Sequence, residues 1–328
     1  MSKISIIGTG AYGSALACVL AKNNHDVYMY GIDLQEIEDI NINRRNSKFF
    51  KKEFKYQNII ASNNLQLVLQ ETKLVIIATP SHAINNVLKN LEQVVQGKVD
   101  LINTSKGIEK HNNKPLSEYI KTNFSKLNNL ATIVGPSFAQ ELFDEKFTII
   151  NIVGTNEKFL KEVKNIFDND FLKLQISLNE NALQYYAALK NILAIGMGII
   201  NYLYDSMNTV SAVFAIGFKE MYYIVKALEV HVKEDIIFEM ASLGDTYLTA
   251  SSIKSRNYCF GKNIAKDGID NILAQNNTTI EGYTNGKIIK EIIDNYKINI
   301  PFFESIYNIL YNKKNPKKIL DFLQNEGE

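Results

Sequence analysis

Apolar positions follow two regimes along this chain. From residue 3 to about residue 178, short apolar runs alternate with segments of helical period. Ile4–Ile7, Val27–Tyr30, Ile59–Ala61, Leu74–Ala78, Asp100–Asn103, Ala131–Val134, Thr148–Val153 and Leu172–Ser177 predict strands. Tyr12–Lys22, Gln35–Ile42, Ala83–Leu91, Pro115–Phe124 and Phe138–Leu142 predict helices between them. Strands alternating with helices imply βαβ units and a mostly parallel, doubly wound α/β sheet. Unbroken runs such as Val75-Ile76-Ile77 fit strands covered on both faces. Beyond about residue 180 the β-type alternation stops. Ala182–Tyr204 is apolar almost all round, and Ser211–Leu228 and Thr284–Asn295 carry helical periodicity. The pattern therefore predicts two domains: an α/β domain over residues 1–179 and an all-α domain over residues 180–328.

Residues 182–204 are long enough to raise the question of a membrane span. The stretch carries Gln184, Lys190, Asn191 and Asn201 and stands alone, so the central helix of a soluble domain is the better reading. The first apolar run is only four residues, Ile4–Ile7, and a glycine turn follows it, which predicts no secretory leader.

That turn reads Gly8-Thr9-Gly10-Ala11-Tyr12-Gly13 and leads from the first strand into a helix. GxGxxG in this context is the dinucleotide signature of a Rossmann-type sheet. Gly8 permits the tight turn, Gly10 lets backbone approach a pyrophosphate, and Gly13 lets helix and strand pack closely. The helix N-terminus adds N–H groups and partial positive charge for the phosphates. Asp33, 20 residues beyond Gly13, is placed to accept from a ribose 2′-OH, which favours NAD. The other reading makes it an ordinary turn residue, with Gly31 at the strand end. No Lys or Arg follows in sequence to meet a 2′-phosphate until Arg44 and Arg45. NAD or NADP is expected as cofactor, with NAD slightly favoured.

Further segments carry candidate chemistry. Thr79-Pro80-Ser81-His82, Ser105-Lys106-Gly107 and Gly135-Pro136-Ser137-Phe138-Ala139 each follow a strand, at the edge where open α/β sheets bind ligands. Lys106 is able to hold a carbonyl oxygen or an anion there. Lys190 lies inside the apolar helix, where a lysine is costly unless paired or functional; the bland reading is a side chain that snorkels to the surface. A desolvated lysine suits proton transfer to and from a carbonyl. Asp245, in a polar break between helices and followed by Thr249, is a partner able to keep it charged and oriented. Ser255-Arg256-Asn257 supplies one guanidinium and further donors for a small phosphate, and Glu281 follows in another turn.

Composition narrows the partners. The chain has 328 residues, 46% of them hydrophobic, with 36 basic and 35 acidic side chains and a net charge of +1. This balance argues against an electrostatic nucleic-acid binder or a polybasic membrane protein. A small anionic substrate needs only a few local cations. Two cysteines and four histidines make neither a disulfide framework nor a structural zinc site, and no metal is expected.

Taken in order, GTGAYGSA (8–15), ATPSHA (78–83), SKGIE (105–109), GPSFAQEL (135–142), ALKNILAIGMGI (188–199), GD (244–245), SRNYCFG (255–261) and IEGY (280–283) resemble bacterial NAD(P)-dependent glycerol-3-phosphate dehydrogenase over nearly the whole chain. The resemblance implies a Rossmann domain followed by a helical domain, with the active site between them. It implies reversible hydride transfer between dihydroxyacetone phosphate and sn-glycerol 3-phosphate, feeding glycerophospholipid synthesis in the cytoplasm, and a homodimer. Lys190 then matches the family's catalytic acid/base, and Lys106 the lysine that touches substrate and cofactor. Substrate contacts carry over to Gly135, Ser137, Asn191, Asp245, Thr249, Ser255, Arg256 and Asn257. Cofactor contacts carry over to the glycine loop with Ala11 and Tyr12, and to Ala139, Arg256 and Glu281. The chain departs from the family at Ile32, where His or Arg is frequent, in the proline-free SKFFKKEFKYQ after Asn46, and in GDTYLT where GDLxLT is usual. Another two-domain β-hydroxyacid or sugar-phosphate dehydrogenase is the neighbouring enzyme reading. A non-catalytic NAD sensor is the rival from another class, and it leaves Lys190, Asp245 and Arg256 unexplained as a set.

Overall fold

The computed structural model describes residues 2–109, 114–229, 231–275 and 279–324. Among them the chain divides into two compact units, one running to Glu180 and the other starting at Asn181.

The first unit is built on eight strands: β1 (Lys3–Ile7), β2 (Asp26–Tyr30), β3 (Ile59–Ser62), β4 (Leu74–Ile77), β5 (Val99–Asn103), β6 (Leu127–Val134), β7 (Thr148–Val153) and β8 (Leu172–Ser177). Their order in the sheet is 3-2-1-4-5-6-7-8. Neighbours pair in parallel from β3 through β6, β7 runs antiparallel to β6, and β8 is parallel to β7. Ile4 sits between Val27 and Leu74, which fixes β1 at the centre of the reversal in strand order. The helices are α1 (Ala11–Lys22), α2 (Leu34–Ile42), α3 (Leu65–Leu69), α4 (Ile84–Val94), α5 (Leu116–Asn123), α6 (Ala139–Phe143) and α7 (Glu157–Phe167).

Alternation within the strands builds a core on each face of the sheet. Ile4, Ile6 and Ile76 join one core with α1 and α7, while Val75 and Ile77 join the other with α4 and α5. Both sets are apolar, which is why the strands read as continuous runs. The sequence pattern did not separate α3 or α7. In α7 the signal is present, because Phe159, Leu160, Val163 and Phe167 form one buried stripe.

The second unit contains α8 (Glu180–Leu203), α9 (Met207–Leu228), α10 (Asp245–Ser251), α11 (Arg256–Asp267), α12 (Ile269–Gln275), α13 (Glu281–Asn285), α14 (Ile288–Tyr296) and α15 (Pro301–Tyr311). It is all-helical among its described residues. The single helix predicted over Thr284–Asn295 is two, α13 and α14. They part at Gly286, where a β-carbon would come within 2.8 Å of the Tyr311 hydroxyl. Helix α8 is long and apolar enough to cross a membrane, yet its apolar window is wholly buried inside the protein. Its glycines explain how. A β-carbon on Gly198 would strike the Tyr258 carbonyl, and one on Gly261 would strike the Ile195 carbonyl, so α8 and α11 touch backbone to backbone. Helix α15 has no side-chain cap of its own. Instead the buried Glu220 of α9 accepts from the N–H groups of Phe302 and Phe303 at 3.0 and 2.9 Å. Burial pushes its carboxyl up to about 7, against the pull of those two amides.

Candidate active site

In the first unit, the loops after β1, β4, β5 and β6 all leave the same carboxyl edge of the parallel strands. Gly8 takes a φ of +124°, and a β-carbon there would lie 2.5 Å from the Ala78 carbonyl oxygen. A β-carbon on Gly13 would strike the Gly8 carbonyl, so the start of α1 needs glycine at both places. Gly10 differs from both. It is the N-cap of α1, makes no side-chain cap, and has nothing within 4 Å of its β-carbon position. The space over the first turn is therefore open, and α1 begins with Ala11 and Tyr12 at the positive end of its dipole. Beside it, the Thr79 hydroxyl is buried with no hydrogen-bond partner. An open approach to a helix N-terminus next to an orphaned polar atom fits a pyrophosphate-bearing dinucleotide.

The neighbouring loops are tied together. Ser105 Oγ donates to the Thr79 carbonyl at 2.5 Å, Thr104 Oγ1 donates to the Ile77 carbonyl at 2.9 Å, and Asn103 Oδ1 accepts from Ser105 N–H at 3.0 Å. These bonds fix the backbone that carries Lys106, which is half-buried. Gly135 has a φ of +142° and lies against Ile150, where a β-carbon would sit 3.2 Å from its Cα. Ser137 Oγ lies 3.1 Å from the Tyr12 hydroxyl and 3.2 Å from the Gly135 carbonyl, linking the glycine loop to the loop after β6. Ala139 opens α6, which has no side-chain cap.

Asp33 does not stand open at the strand end. It is the N-cap of α2: Oδ1 accepts from the N–H groups of Gln35 and Glu36, and Oδ2 meets Lys48 Nζ at 3.1 Å. Lys48 and its N-cap amides hold the Asp33 carboxyl below the usual range. Arg44 and Arg45, the first cations after Asp33 in sequence, face elsewhere. Arg44 donates to the carbonyls of Ile59 and Tyr56, and Arg45 pairs with Asp39 at 3.2 Å.

In the second unit, Lys190 is 4% exposed and Asp245 1%. Lys190 Nζ lies 2.6 Å from Asp245 Oδ1 and donates to Thr249 Oγ1 at 2.8 Å. Thr249 Oγ1 commits its own hydrogen to the Asp245 carbonyl at 2.7 Å, so it presents a lone pair to the lysine. A π-turn over Met240–Gly244 delivers Asp245 to the start of α10. The snorkelling alternative for Lys190 is excluded by this burial.

Asn191, one residue on, bonds a different group. Its Nδ2 donates to Glu281 Oε2 at 3.1 Å, its Oδ1 accepts from Asn257 Nδ2 at 3.0 Å, and Asn257 Oδ1 accepts from Gly282 N–H at 2.8 Å. The two amides and Glu281 thus form a chain joining α8, α11 and α13. Ser255 caps α11 through Tyr258 N–H at 3.3 Å, and Arg256, the first residue of that helix, is exposed.

Residues 3–160 match the family model described as NAD-dependent glycerol-3-phosphate dehydrogenase N-terminus, and residues 180–321 match the corresponding C-terminus. The chain belongs to this family.

Its relatives include a glycerol-3-phosphate dehydrogenase (NAD(P)+) of Malacoplasma penetrans, 38% identical over 323 residues that span 97% of this chain and 94% of that protein. A second, from Mesoplasma florum, is 38% identical over 327 residues, covering 98% and 97%. The crystal structure of the glycerol-3-phosphate dehydrogenase of Coxiella burnetii superposes with a TM-score of 0.88 at 24% identity, covering 99% of each chain, and so shares the fold. The N-terminal NAD-binding domain and helical C-terminal domain of the glycerol-3-phosphate dehydrogenase family are thus both present here. Three site features were missed in the sequence reading: Lys48 beside Asp33, the orphaned Thr79 hydroxyl, and the buried Thr246 hydroxyl, which also lacks a hydrogen-bond partner. Thr79 and Thr246 lie in segments the sequence singles out, but their lack of a partner, like the approach of Lys48, depends on which way a side chain turns.

Proposed function

We propose that this chain reduces dihydroxyacetone phosphate to sn-glycerol 3-phosphate, reversibly, with NAD(H) or NADP(H). The observation that carries the reading is the buried Lys190–Asp245–Thr249 cluster in a chain that matches both halves of the family. A bound nicotinamide supplies or accepts the hydride. As the hydride's electron pair forms the new C–H bond at C2 of the ketone, the C=O π pair moves onto the C2 oxygen. Lys190 donates a proton from Nζ to that oxygen, forming the alcohol, and is reprotonated from solvent. In the oxidative direction the same amine takes the hydroxyl proton. Asp245 keeps the ammonium charged and aimed, and the lone pair of Thr249 fixes a second of its N–H directions.

Arg256 at the start of α11 holds the substrate phosphate, supported by the helix N-terminus and the cap from Ser255. Lys106, Gly135 and Ser137 supply contacts to substrate oxygens. Asn191 and Asn257 act through their mutual bond and through Glu281, which presents the cofactor side. The glycine loop, with Ala11, Tyr12 and Ala139, receives the dinucleotide. Phosphate binding is spent on positioning, because that group does not react.

The product supplies glycerophospholipid synthesis, and the reading places the enzyme in the cytoplasm. A homodimer follows from the family resemblance, and it is supported by large apolar side chains left exposed on the helical unit, among them Met207, Phe238, Tyr247 and Ile253. The test is the absorbance of reduced nicotinamide with dihydroxyacetone phosphate, run beside a panel of β-keto acids and sugar phosphates. Consumption specific to dihydroxyacetone phosphate is expected. Turnover confined to another substrate would sink the assignment.

A further inference from the structure

The end of β2 carries a charge cluster that the hydride chemistry does not use. Glu36 is buried; one oxygen accepts from Thr9 Oγ1 inside the glycine loop at 2.6 Å, and the other meets Lys48 Nζ at 2.6 Å. Lys48 also meets Asp33 at 3.1 Å. A β-carbon on Gly31 would sit 2.7 Å from Thr9 Oγ1, so an acidic side chain there would displace the Thr9 hydroxyl that Glu36 accepts from. This strand end carries no carboxylate of its own, and Asp33, Glu36 and Lys48 are the charged groups beside it. Two carboxylates face one ammonium, and both nearby arginines are engaged elsewhere.

We propose that the Asp33–Lys48–Glu36 triad, anchored on Thr9, discriminates against the 2′-phosphate of NADP, with Glu36 as the residue that withholds Lys48. The inference rests on the dinucleotide reading of the glycine loop. A 2′-phosphate brings about two negative charges toward a cluster that is already net negative. To claim Lys48 it would leave a buried carboxylate without its counter-ion. A ribose 2′-OH makes no such demand, since it can donate to Asp33 Oδ2 while Lys48 stays in place. Selectivity here comes from a lysine that is present but held back.

The test is calorimetric titration of the full chain with ADP-ribose and with 2′-phospho-ADP-ribose, which reads binding independently of turnover. The unmodified chain is expected to prefer ADP-ribose. Asp33→Asn keeps the cap on α2, and Glu36→Gln keeps an acceptor for Thr9. Each should shift the affinity ratio toward the phosphorylated ligand by about tenfold, the scale of removing one like charge at close range. Lys48→Ala should shift the ratio the other way. A merely structural role would weaken both ligands together and leave the ratio still, and that result overturns the proposal. So does a preference of the unmodified chain for 2′-phospho-ADP-ribose. Failure of the unmodified chain to bind either ligand overturns the dinucleotide reading itself.

Discussion

Lys190→Met removes the charge from a cluster in which Asp245 is 1% exposed and has its carboxylate 2.6 Å from the lysine. The methionine fills most of the space, so the change is chiefly electrostatic. A buried carboxylate stripped of its partner costs about 3–5 kcal/mol, and the unfolding midpoint should fall accordingly. Turnover should fall by at least ~10²-fold, the scale of a positioned general acid. The two losses have different causes and separate in a double variant. Lys190→Met with Asp245→Asn removes both charges, so most of the stability should return while turnover stays low. The chain has no tryptophan, so urea unfolding is followed by far-UV circular dichroism, beside steady-state reduction of dihydroxyacetone phosphate. Turnover restored with stability in the double variant would show that Lys190 only neutralises Asp245, and the acid/base role would fall.

Gly10→Ala should leave the melting temperature of the ligand-free chain within about 2 °C, since its β-carbon meets nothing, its φ of −63° suits alanine, and the weaker N-cap is offset by the lower entropy of the unfolded chain; nucleotide affinity by calorimetry should drop at least tenfold, as about one lost close approach implies. Arg256→Ala, at an exposed position, should raise KM for dihydroxyacetone phosphate by about tenfold or more with little change in stability, measured by initial rates and thermal melts; unchanged KM with lost cofactor affinity would move this arginine to the dinucleotide. Glu220 has its folded value raised from 4.5 to about 7, so burial favours its neutral form. Its contribution is complete below about 4.5 and is lost as pH rises through about 7, a change of about 3 kcal/mol by linkage. Unfolding midpoints measured from pH 5 to about pH 8 should show this slope, and Glu220→Gln should flatten it.

All eight strands were legible because apolar runs bounded by glycine or polar turns mark buried parallel strands whatever surrounds them. The direction of β7 was not, since a run of alternating residues reads the same in either direction and only the partner strand decides. The buried Lys190 stood out because polarity inside an apolar helix is costly, and Asp245 followed as the partner that cost demands. Asn191 and Asn257 show the opposite case. The resemblance marked both as substrate contacts, but nothing in the sequence foretold that their amides bond each other, Glu281 and Gly282, an arrangement set by how α8, α11 and α13 meet in space. Lys48 was hidden for a similar reason: Arg44 and Arg45 lie closer to Asp33 in sequence, but the chain turns them toward Ile59, Tyr56 and Asp39.

The contact between α8 and α11 works as a ruler. Lys190 sits on one helix and Arg256 on the other, and their separation is set where Gly198 and Gly261 let main chain rest on main chain. Side-chain repacking cannot lengthen that distance, because no side chain lies between the two backbones to be exchanged. If Arg256 grips the phosphate and Lys190 serves the alcohol carbon, the spacing of their Cα atoms is written into the backbone, and only the reach of the exposed Arg256 side chain is left to adapt to a longer phosphorylated ketone.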